Sequence, residues 1–189
     1  LSASAVGYYP NSLSETFSED DAPGNDFLSL VCQKWEQEAV NFEQLGIKTF
    51  RLRIGIVLST KGGALPQMAL PIKYGLGAAL GSGKQWMPWI HISDMVALIL
   101  YSVDKAELSG PVNATAPNPV RNRDFTRALG AALHRPAIFP MPGPVVKLLF
   151  GQMGEELLLQ GQRVIPRKVQ DSGFNFQYPL LEGALADLL

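Results

Sequence analysis

The sequence has very few residues of the types that build disulfide frameworks and metal centres. Cys32 is the single cysteine among 189 residues, and His91 and His134 are the two histidines. One cysteine excludes an internal disulfide framework and a multi-cysteine zinc site, and it fits a reducing compartment. Two histidines argue against a histidine-rich metal centre, so we expect no resident metal ion.

An excess of charge of either sign is also lacking. Sixteen Lys and Arg residues stand against seventeen Asp and Glu residues, which gives a net charge of -1. Without a global field, binding to nucleic acid or to an anionic membrane through bulk charge is disfavoured. No apolar run approaches the ~20 residues that a membrane-spanning helix needs. The shares of hydrophobic residues, 47%, and of charged residues, 17%, are typical of a globular domain.

The first half of the chain alternates between helix and strand patterns. Residues 1–6 resemble the end of a short strand. Apolar side chains at three- and four-residue steps predict a helix over 26–45, capped by Asp26 and ended by Gly46. The apolar, β-branched segment 48–58 predicts one buried strand. A helix followed closely by such a strand favours αβ repetition around a parallel sheet.

The composition changes near residue 116, which we take as a domain boundary. The part before it, 1–116, is predicted to be doubly wound α/β, with a Gly- and Pro-rich loop over 61–89. The part after it, 117–189, has shorter helices and more prolines, as in a small appended lobe. Because no long linker separates the two parts, we expect them to pack as one unit. The other predicted elements are helices over 65–74, 94–105 (capped by Ser93), 124–133, 144–150 and 180–189, and strands over 89–92, 111–114 and 138–141.

The glycine-rich segment 75–83 is the first candidate for a ligand site. A dinucleotide fingerprint needs glycines that directly follow a strand and open a helix, so that backbone amides meet the pyrophosphate. Here they follow Lys73 and Tyr74 and precede Lys84, and the Gly-Lys-Ser/Thr ending of a Walker loop is missing. This favours a ligand-covering loop.

Polar side chains near predicted strand ends are the second group of candidates. The hydroxyls of Ser4 and Tyr8 either contact a substrate, as at the carboxyl end of a parallel strand, or belong to ordinary loop residues. His91 and Asp94 are either a polar pair that faces a cleft, or a structural histidine beside a helix cap formed by Ser93 and Asp94. Cys32 lies on the apolar side of its predicted helix, which favours a buried, unreactive thiol.

A series of ordered motifs carries a resemblance to a known family over essentially the whole chain. In chain order they are SASAVGYY from Ser2, WE from Trp35, RIGIVL from Arg53, GGA from Gly62, GSGKQ from Gly81, WIHISD from Trp89, GQRVIP from Gly161 and GFNF from Gly173. The sequence resembles atypical extended short-chain dehydrogenases/reductases, and more narrowly the nucleoside-diphosphate-sugar epimerase-like group with a small C-terminal domain of unknown function.

The resemblance implies the C-terminal part of a Rossmann-type doubly wound parallel sheet over 1–116 and a small α/β substrate lobe over 117–189. It also implies that the N-terminal Gly-rich part of the Rossmann domain is absent from this sequence. The implied site residues are Ser4 and Tyr8 for catalysis, Arg53, Ile54 and Gly55 beside the cofactor, and Gln85, Trp86 and His91 at the substrate.

Two positions depart from the family's usual pattern. Counting back from Glu36 places the tyrosine of the Tyr-x-x-x-Lys motif at Leu28 and its lysine at Cys32. Leucine cannot carry a proton, and cysteine cannot replace the ammonium group that binds the ribose. Ordinary hydride chemistry is therefore in question, although the epimerase-like group also resembles this sequence in lacking the motif.

Two functional hypotheses follow. The first is an NAD(P)-binding oxidoreductase or epimerase-like enzyme that acts on a small polar, nucleotide-sugar-like substrate, with NADP preferred over NAD. The alternative is a non-catalytic NADP(H)-binding scaffold or sensor that acts through a protein partner. For either, we expect a small-molecule ligand, no nucleic acid and no membrane, and a homodimer is compatible with both. The cytoplasm is the expected location, with an organelle as the alternative.

Overall fold

The computed structural model describes residues 1–105, 108–136, 139–141 and 159–189. The strands are β1 Ser2–Ala5, β2 Thr16–Phe17, β3 Phe50–Ile54, β4 Ile56–Leu58, β5 Ala78–Leu80, β6 Trp86–Met87, β7 Trp89–His91, β8 Gly110–Ala114, β9 Val120–Arg121, β10 Phe139–Met141 and β11 Arg163–Val164. The helices are α1 Phe27–Glu43, α2 Ala64–Lys73, α3 Ile92–Asp104, α4 Asn122–Ala132, α5 Arg167–Asp171 and α6 Leu181–Leu188, with a 3₁₀ turn at Val6–Tyr8.

Parallel strands form the centre of the fold. A three-stranded sheet has the order β1-β3-β8, with both pairs parallel. A second parallel pair joins β4 to β7. Helix α1 connects β1 to β3 and packs against β1, while α3 connects β7 to β8 and packs against β7. This alternation of parallel strands and helices confirms the predicted α/β class.

The predicted single strand over 48–58 is divided in the structure. Strands β3 and β4 are separated at Gly55, whose backbone N–H donates to Ala114 O (3.1 Å), whereas the next residue, Ile56, donates to Pro88 O (2.8 Å). The chain therefore changes neighbours at this residue, from β8 to β7. A Cβ on Gly55 would lie 2.5 Å from Pro88 O, so the change of partner requires a residue without a side chain.

Helix ends agree with the sequence at α1 and differ from it at α3. Asp26 caps α1 by accepting from Ser29 N (2.9 Å), and Gly46 follows the helix with a φ of 76°. The predicted cap of α3, Ser93, is wrong. The helix begins at Ile92 and its N-cap is His91, whose Nδ1 accepts from Ser93 N (3.1 Å).

The hydrophobic core spans the predicted boundary at residue 116. Buried Leu58 and Trp89 share one apolar cluster with Phe125 of α4 and Leu185 of α6. The two parts thus pack as one unit, as expected, while the boundary itself stays a prediction. The predicted helix over 144–150 lies outside the described residues. Within the described part of the chain, no helix is both long enough and apolar enough to cross a membrane.

Candidate functional site

A cavity of about 590 Å³ lies at the carboxyl ends of β1 and β3. Ala5, Val6 and Gly7 form one part of its wall, and Ile54 and Gly55 form the part beside it. Ala5 and Ile54 are partners in the parallel register, so both strands end at the same edge of the sheet. This edge is where open α/β sheets bind ligands.

Helix α1 supplies a second wall. Leu28, Val31, Cys32 and Trp35 line the cavity at the spacing of one helix face. Leu28 and Cys32, where the resemblance expects tyrosine and lysine, therefore both lie on the cavity wall, one helical turn apart. Cys32 is 4% exposed, and burial raises the pKa of its thiol. At neutral pH this position presents an uncharged thiol to the cavity.

Another part of the wall is organised by Asn122, which is 2% exposed. Its Oδ1 accepts from Leu80 N (2.8 Å), its Nδ2 contacts Met87 Sδ (3.2 Å), and its backbone N–H donates to Gln85 O (2.9 Å). All four residues line the cavity. One asparagine at the start of α4 thus fixes the positions of three neighbouring wall residues.

Trp86 lies on the wall beside Gln85 and is held by polar groups at its edge and by cations at its ring. Its Nε1 donates to Leu13 O (3.1 Å). The guanidinium carbons of Arg121 and Arg163 lie 3.9 Å and 4.9 Å from its ring centroid. These cation–π contacts hold the indole against the cavity.

A buried ionic cluster lies behind the cavity, between α1 and the sheet. Glu36 accepts from Arg53 Nε (2.8 Å) and Nη2 (2.9 Å) and from Ser4 Oγ (2.8 Å). All three residues are buried, with Arg53 3% exposed. Although burial by itself lowers the pKa of Arg53, its hydrogen bond with Glu36 and the charge of its neighbours raise it above the ordinary value. Arg53 is therefore a permanent buried cation whose charge Glu36 balances.

Two tyrosines complete this cluster around Arg53. The Tyr9 hydroxyl accepts from Arg53 Nη1 (2.8 Å) and donates to Asn113 Oδ1 (2.8 Å). Burial raises the pKa of Tyr9 above that of an exposed tyrosine. The guanidinium carbon of Arg53 also lies 3.5 Å from the centroid of the Tyr8 ring, which is a cation–π contact. Both side chains thus serve to hold Arg53.

Glu19 extends the cluster towards the C-terminal lobe. Its carboxylate accepts from Asn113 N (3.1 Å) and Lys168 N (3.2 Å). Burial raises the pKa of Glu19 and lowers the pKa of the Lys168 ammonium group. Through its two hydrogen bonds, the Glu19 carboxylate connects β8 to the start of α5.

The fully buried His91 and Asp94 hold the C-terminal segment. Asp94 accepts from Gln177 N (2.7 Å) and Tyr178 N (2.9 Å). The His91 ring contacts the Tyr178 ring at a centroid distance of 3.9 Å, and its Nε2 lies 3.3 Å from Asp187 Oδ2. Among the described residues, Nε2 has no hydrogen-bond partner. Asp94 thus binds the C-terminal segment and is not a cap of α3, and His91 caps the helix and packs on Tyr178.

Among the described residues, no group of three or more His, Cys, Asp or Glu side chains is arranged to hold a metal ion. The polar side chains of the described wall are carboxamides, the Cys32 thiol and the indoles of Trp35 and Trp86.

Known proteins of one family are similar to this chain. Residues 141–188 match a domain of unknown function, DUF1731. The chain is 44% identical over 190 residues to the epimerase family protein YfhF of Bacillus subtilis, covering all of this chain and 62% of that protein. Human epimerase family protein SDR39U1 (isoform 2), crystallised with NADPH, is 34% identical, with a TM-score of 0.88 over 98% of this chain and 63% of that one. Over its whole length this chain is similar to the epimerase-like group of atypical extended short-chain dehydrogenases/reductases.

Two further solved structures support the same fold. A nucleoside-diphosphate sugar epimerase from Corynebacterium glutamicum is 33% identical, with a TM-score of 0.82, over 99% of this chain and 36% of that one. UDP-glucose 4-epimerase from Thermus thermophilus, in complex with NAD, has a TM-score of 0.76 at 18% identity, which supports the Rossmann-type fold alone. The chain spans about three-fifths of the curated relatives that it matches, 62% in the case of YfhF.

The structure separates the site residues that family resemblance implies into two sets. Ile54, Gly55, Gln85 and Trp86 lie on the cavity wall. The other four, Ser4, Tyr8, Arg53 and His91, contact protein groups away from the described wall. Their predicted contacts with ligand stay predictions.

The register of β1 and β3 explains part of this separation. Ser4 pairs with Arg53, and the next pair is Ala5 with Ile54. Successive residues of a strand point to opposite faces, so one pair enters the ionic cluster and the next reaches the cavity.

Sequence reasoning missed the wall residues Asn11, Asn122, Gln160 and Gln162. The GQRV motif, which begins at Gly161, was the one signal close to them. Asparagine and glutamine are common on surfaces, so nothing in their local pattern distinguishes a cavity wall from a solvent-exposed turn.

Proposed function

We propose that the protein is an NADP(H)-binding, epimerase-like oxidoreductase of small polar substrates. The observation that carries this proposal is the cavity of about 590 Å³ at the carboxyl ends of β1 and β3, walled by α1. A ligand pocket at this sheet edge is expected in a doubly wound fold. The NADPH in the structure of the human relative supports the choice of cofactor.

The strand-end wall fits the nicotinamide end of such a cofactor. Ala5, Gly7, Ile54 and Gly55 present small or apolar groups, so a flat ring can approach the backbone closely. The substrate would lie against the part of the wall near Gln85. When bound, the cofactor supplies hydride transfer. The residues of the chain hold the two ligands in place and exclude water between them.

The wall composition gives a second candidate, a non-catalytic NADP(H) sensor. Leu28 has no proton to transfer, and the raised pKa of Cys32 keeps its thiol neutral. Among the described wall residues, Cys32 is the one titratable side chain. In the catalytic case, the acid or base must come from the substrate, from water or from groups beyond the described wall.

Titration of NADPH and NADH into the longest natural form of this protein tests the proposal. Quenching of tryptophan fluorescence is a suitable signal because Trp86 and Trp35 line the cavity. We expect saturable binding near micromolar, about -8 kcal/mol, and tighter for NADPH. If the complete protein binds neither dinucleotide, the proposal is wrong.

A matched pair of variants tests whether the dinucleotide binds in this cavity. Ala5 lines the cavity, whereas Ala3, on the same strand, is exposed elsewhere. Ala5→Leu should weaken NADPH binding by about tenfold or more, equivalent to about 1.4 kcal/mol, and Ala3→Leu should leave it unchanged. Equal effects of the two substitutions would contradict binding at this wall.

Deuterium transfer distinguishes the enzyme from the sensor. The protein is incubated with NADPH deuterated at C4 and a pooled panel of carbonyl compounds. Deuterium in any product, absent from a control without protein, supports the oxidoreductase. If NADPH binds but no carbonyl compound of the panel gains deuterium, the sensor is favoured.

We also propose a cytoplasmic location and a homodimer. Phe27, Leu30 and Phe42 on α1 are 67%, 50% and 54% exposed and offer an apolar surface to a second copy. Sedimentation of the full-length protein tests the dimer, and a sedimentation coefficient that stays monomeric at all concentrations would exclude it.

A further inference from the structure

Apolar atoms provide most of the surface of the cavity at the carboxyl ends of β1 and β3. Its described wall contains no Asp, Glu, Lys, Arg, His, Ser, Thr or Tyr residue. A charged group of a ligand would lose its hydration there without gaining an ion pair, and each unpaired hydroxyl group would lose a hydrogen bond to water. The wall therefore favours a ligand that is uncharged and mainly apolar.

The two carboxamides that are buried in the wall bond to the protein itself. Gln85 and Asn122 are 3% and 2% exposed. Gln85 Nε2 donates to Leu80 O (3.0 Å). Asn122 Oδ1 accepts from Leu80 N (2.8 Å), and its Nδ2 lies 3.2 Å from Met87 Sδ. The other carboxamides of the wall are exposed or half-buried, at Asn11, Gln67, Gln160 and Gln162. The amide groups of the wall are thus either bonded to neighbouring residues or at least partly in contact with solvent.

Residues of three elements form the part of the cavity that we name the apolar wall: Ile56 of β4, Ala64 and Met68 of α2, and Trp86 and Met87 of β6. Ala64 and Met68 lie about one helical turn apart, so both are on the same side of α2. Met87 is buried in the core cluster against which Ile56 and Met68 pack. The three elements therefore meet in one hydrophobic cluster beside the cavity.

The side chains of β6 are held in place by other residues of the chain. Asn122 Nδ2 contacts the thioether sulfur of Met87 (3.2 Å). The guanidinium groups of Arg121 and Arg163 lie against the Trp86 ring, and neither arginine is a residue of the described wall. Thioethers and indoles both make favourable contacts with aromatic rings. Because little further ordering of these groups is needed on binding, the apolar wall is suited to an aromatic ligand.

We propose that the apolar wall binds an uncharged aromatic ring that carries a carbonyl group. The inference rests on the proposed function and narrows its substrate class: the carbonyl is the polar group of the substrate, and the ring attached to it is apolar. Gly55, where the proposed function places the nicotinamide, is followed directly by Ile56 of the apolar wall. The aromatic ring and the nicotinamide therefore lie side by side in the cavity of about 590 Å³. A volume of this size is within the ordinary range of small-molecule sites, about 300–1,000 Å³.

The probe for this inference is Prodan, an uncharged naphthyl ketone whose fluorescence emission moves to shorter wavelengths in apolar surroundings. Prodan is titrated into the full-length protein and then displaced with acetylnaphthalene, with its carboxylate derivative acetylnaphthoate, or with glucose. We expect acetylnaphthalene to displace Prodan at a concentration about tenfold or more below that of acetylnaphthoate, and glucose to displace none of it. Equal displacement by the two naphthyl compounds, displacement by glucose or no binding of Prodan would overturn the inference.

Two matched pairs of variants test whether Prodan binds at the apolar wall. Met68→Gln keeps the length of the side chain but replaces the thioether with a carboxamide, so it should weaken Prodan binding by about fivefold or more. Met68→Leu keeps the position apolar and should change the binding by no more than about twofold. Ala64→Glu adds a negative charge at the first residue of α2, where the helix dipole tolerates it, and should weaken Prodan binding by about fivefold or more. Ala97→Glu makes the same change at an exposed residue of α3 that does not line the cavity, and it should have no effect. Unchanged binding in both Met68→Gln and Ala64→Glu, or an equal loss in Ala97→Glu, would refute binding at the apolar wall.

Titration of NADPH into the same samples separates this inference from the proposed function. We expect both ligands to bind together, with the dissociation constant of Prodan changed by no more than about twofold at saturating NADPH. Competitive displacement of Prodan by NADPH would overturn the inference, because the apolar wall would then belong to the dinucleotide. If NADPH binds and Prodan does not, the inference about the apolar wall fails alone. If no NADPH binds but Prodan shows the expected preferences, the proposed cofactor fails and the ligand class of the apolar wall stands.

Discussion

Removing the Glu36 carboxylate leaves the Arg53 guanidinium buried without its counter-charge. Glu36 accepts hydrogen bonds from Arg53 Nε (2.8 Å), Arg53 Nη2 (2.9 Å) and Ser4 Oγ (2.8 Å). In Glu36→Gln, an amide NH₂ replaces one acceptor and faces these donors. The side chains of Arg53 and Glu36 are 3% and 8% exposed, so water cannot substitute for the lost acceptor. We expect a loss of about 3–5 kcal/mol in the free energy of unfolding.

Urea and thermal denaturation measure this loss. At about 2–4 °C per kcal/mol in a chain of this size, the melting temperature should fall by roughly 6–20 °C. Tryptophan fluorescence and circular dichroism should give coincident transitions. The double variant Glu36→Leu/Arg53→Met removes both charges and should recover at least half of the loss. A loss below about 1 kcal/mol in Glu36→Gln, or no recovery in the double variant, would refute a charge-balancing role for Glu36.

The surface pair Arg127–Asp124 provides the control for this experiment. Its nitrogen and oxygen are 3.6 Å apart, and the arginine side chain is 79% exposed. Arg127→Met should change the free energy of unfolding by no more than about 0.5 kcal/mol, because solvent screens an exposed pair.

Three further changes probe other parts of the structure. Tyr9→Phe removes two buried hydrogen bonds and should cost about 1–3 kcal/mol at pH 7. Because burial raises the pKa of Tyr9, ionisation opposes folding, so the stability of the parent protein should fall as the pH rises above the ordinary tyrosine value of about 10. The variant should lack this part of the fall in urea midpoints between pH 7 and pH 11. Asp94→Ala removes the acceptor of two backbone N–H groups, including that of Tyr178, and should cost about 2–3 kcal/mol and expose the C-terminal segment to chymotrypsin. Gly161→Ala places a Cβ 2.1 Å from Trp86 O and should lower the stability by about 1–3 kcal/mol in urea denaturation.

Each of these changes has a control elsewhere in the chain. Tyr8→Phe tests whether the alkaline effect belongs to Tyr9. Asp171→Ala removes an exposed carboxylate, and its chymotryptic pattern should match that of the parent protein. Gly183→Ala adds a Cβ with no neighbour within 4 Å and should not reduce stability. Losses in these controls equal to those in Tyr9→Phe, Asp94→Ala and Gly161→Ala would contradict the proposed contacts.

Local patterns predicted the elements whose ends are set by neighbouring residues. The apolar steps of α1, its cap Asp26 and the Gly46 that follows are all properties of a short segment, and the structure has a helix there, Phe27–Glu43. The division of the 48–58 strand was not predicted, because it depends on the approach of Pro88 O to Gly55. A pattern within one segment contains no information about which strand lies beside it.

The motifs along the chain were sufficient to indicate the family and the Rossmann-type class, because they follow one order over the whole sequence. Four of the site residues that they imply, Ile54, Gly55, Gln85 and Trp86, line the cavity, and the contacts of these residues with a ligand stay predictions. The motifs could not show that the side chains of Ser4 and Ala5 point to opposite faces of the sheet. A strand alternates faces at each residue, and only the packed sheet decides which face borders the cavity.

The sequence by itself determined the repeating αβ architecture and the position of α1, and it has Leu28 and Cys32 where the family resemblance implies a proton-carrying pair. Periodicity, caps and residue identity are local properties, and they survive in the chain before it folds. Only the tertiary structure decided that Arg53 is paired with Glu36 and that Asn11 accepts a hydrogen bond from Gln162 on the cavity wall. Contacts between residues so far apart in sequence exist only once the sheet and the C-terminal lobe pack together, because packing alone sets the distance between them.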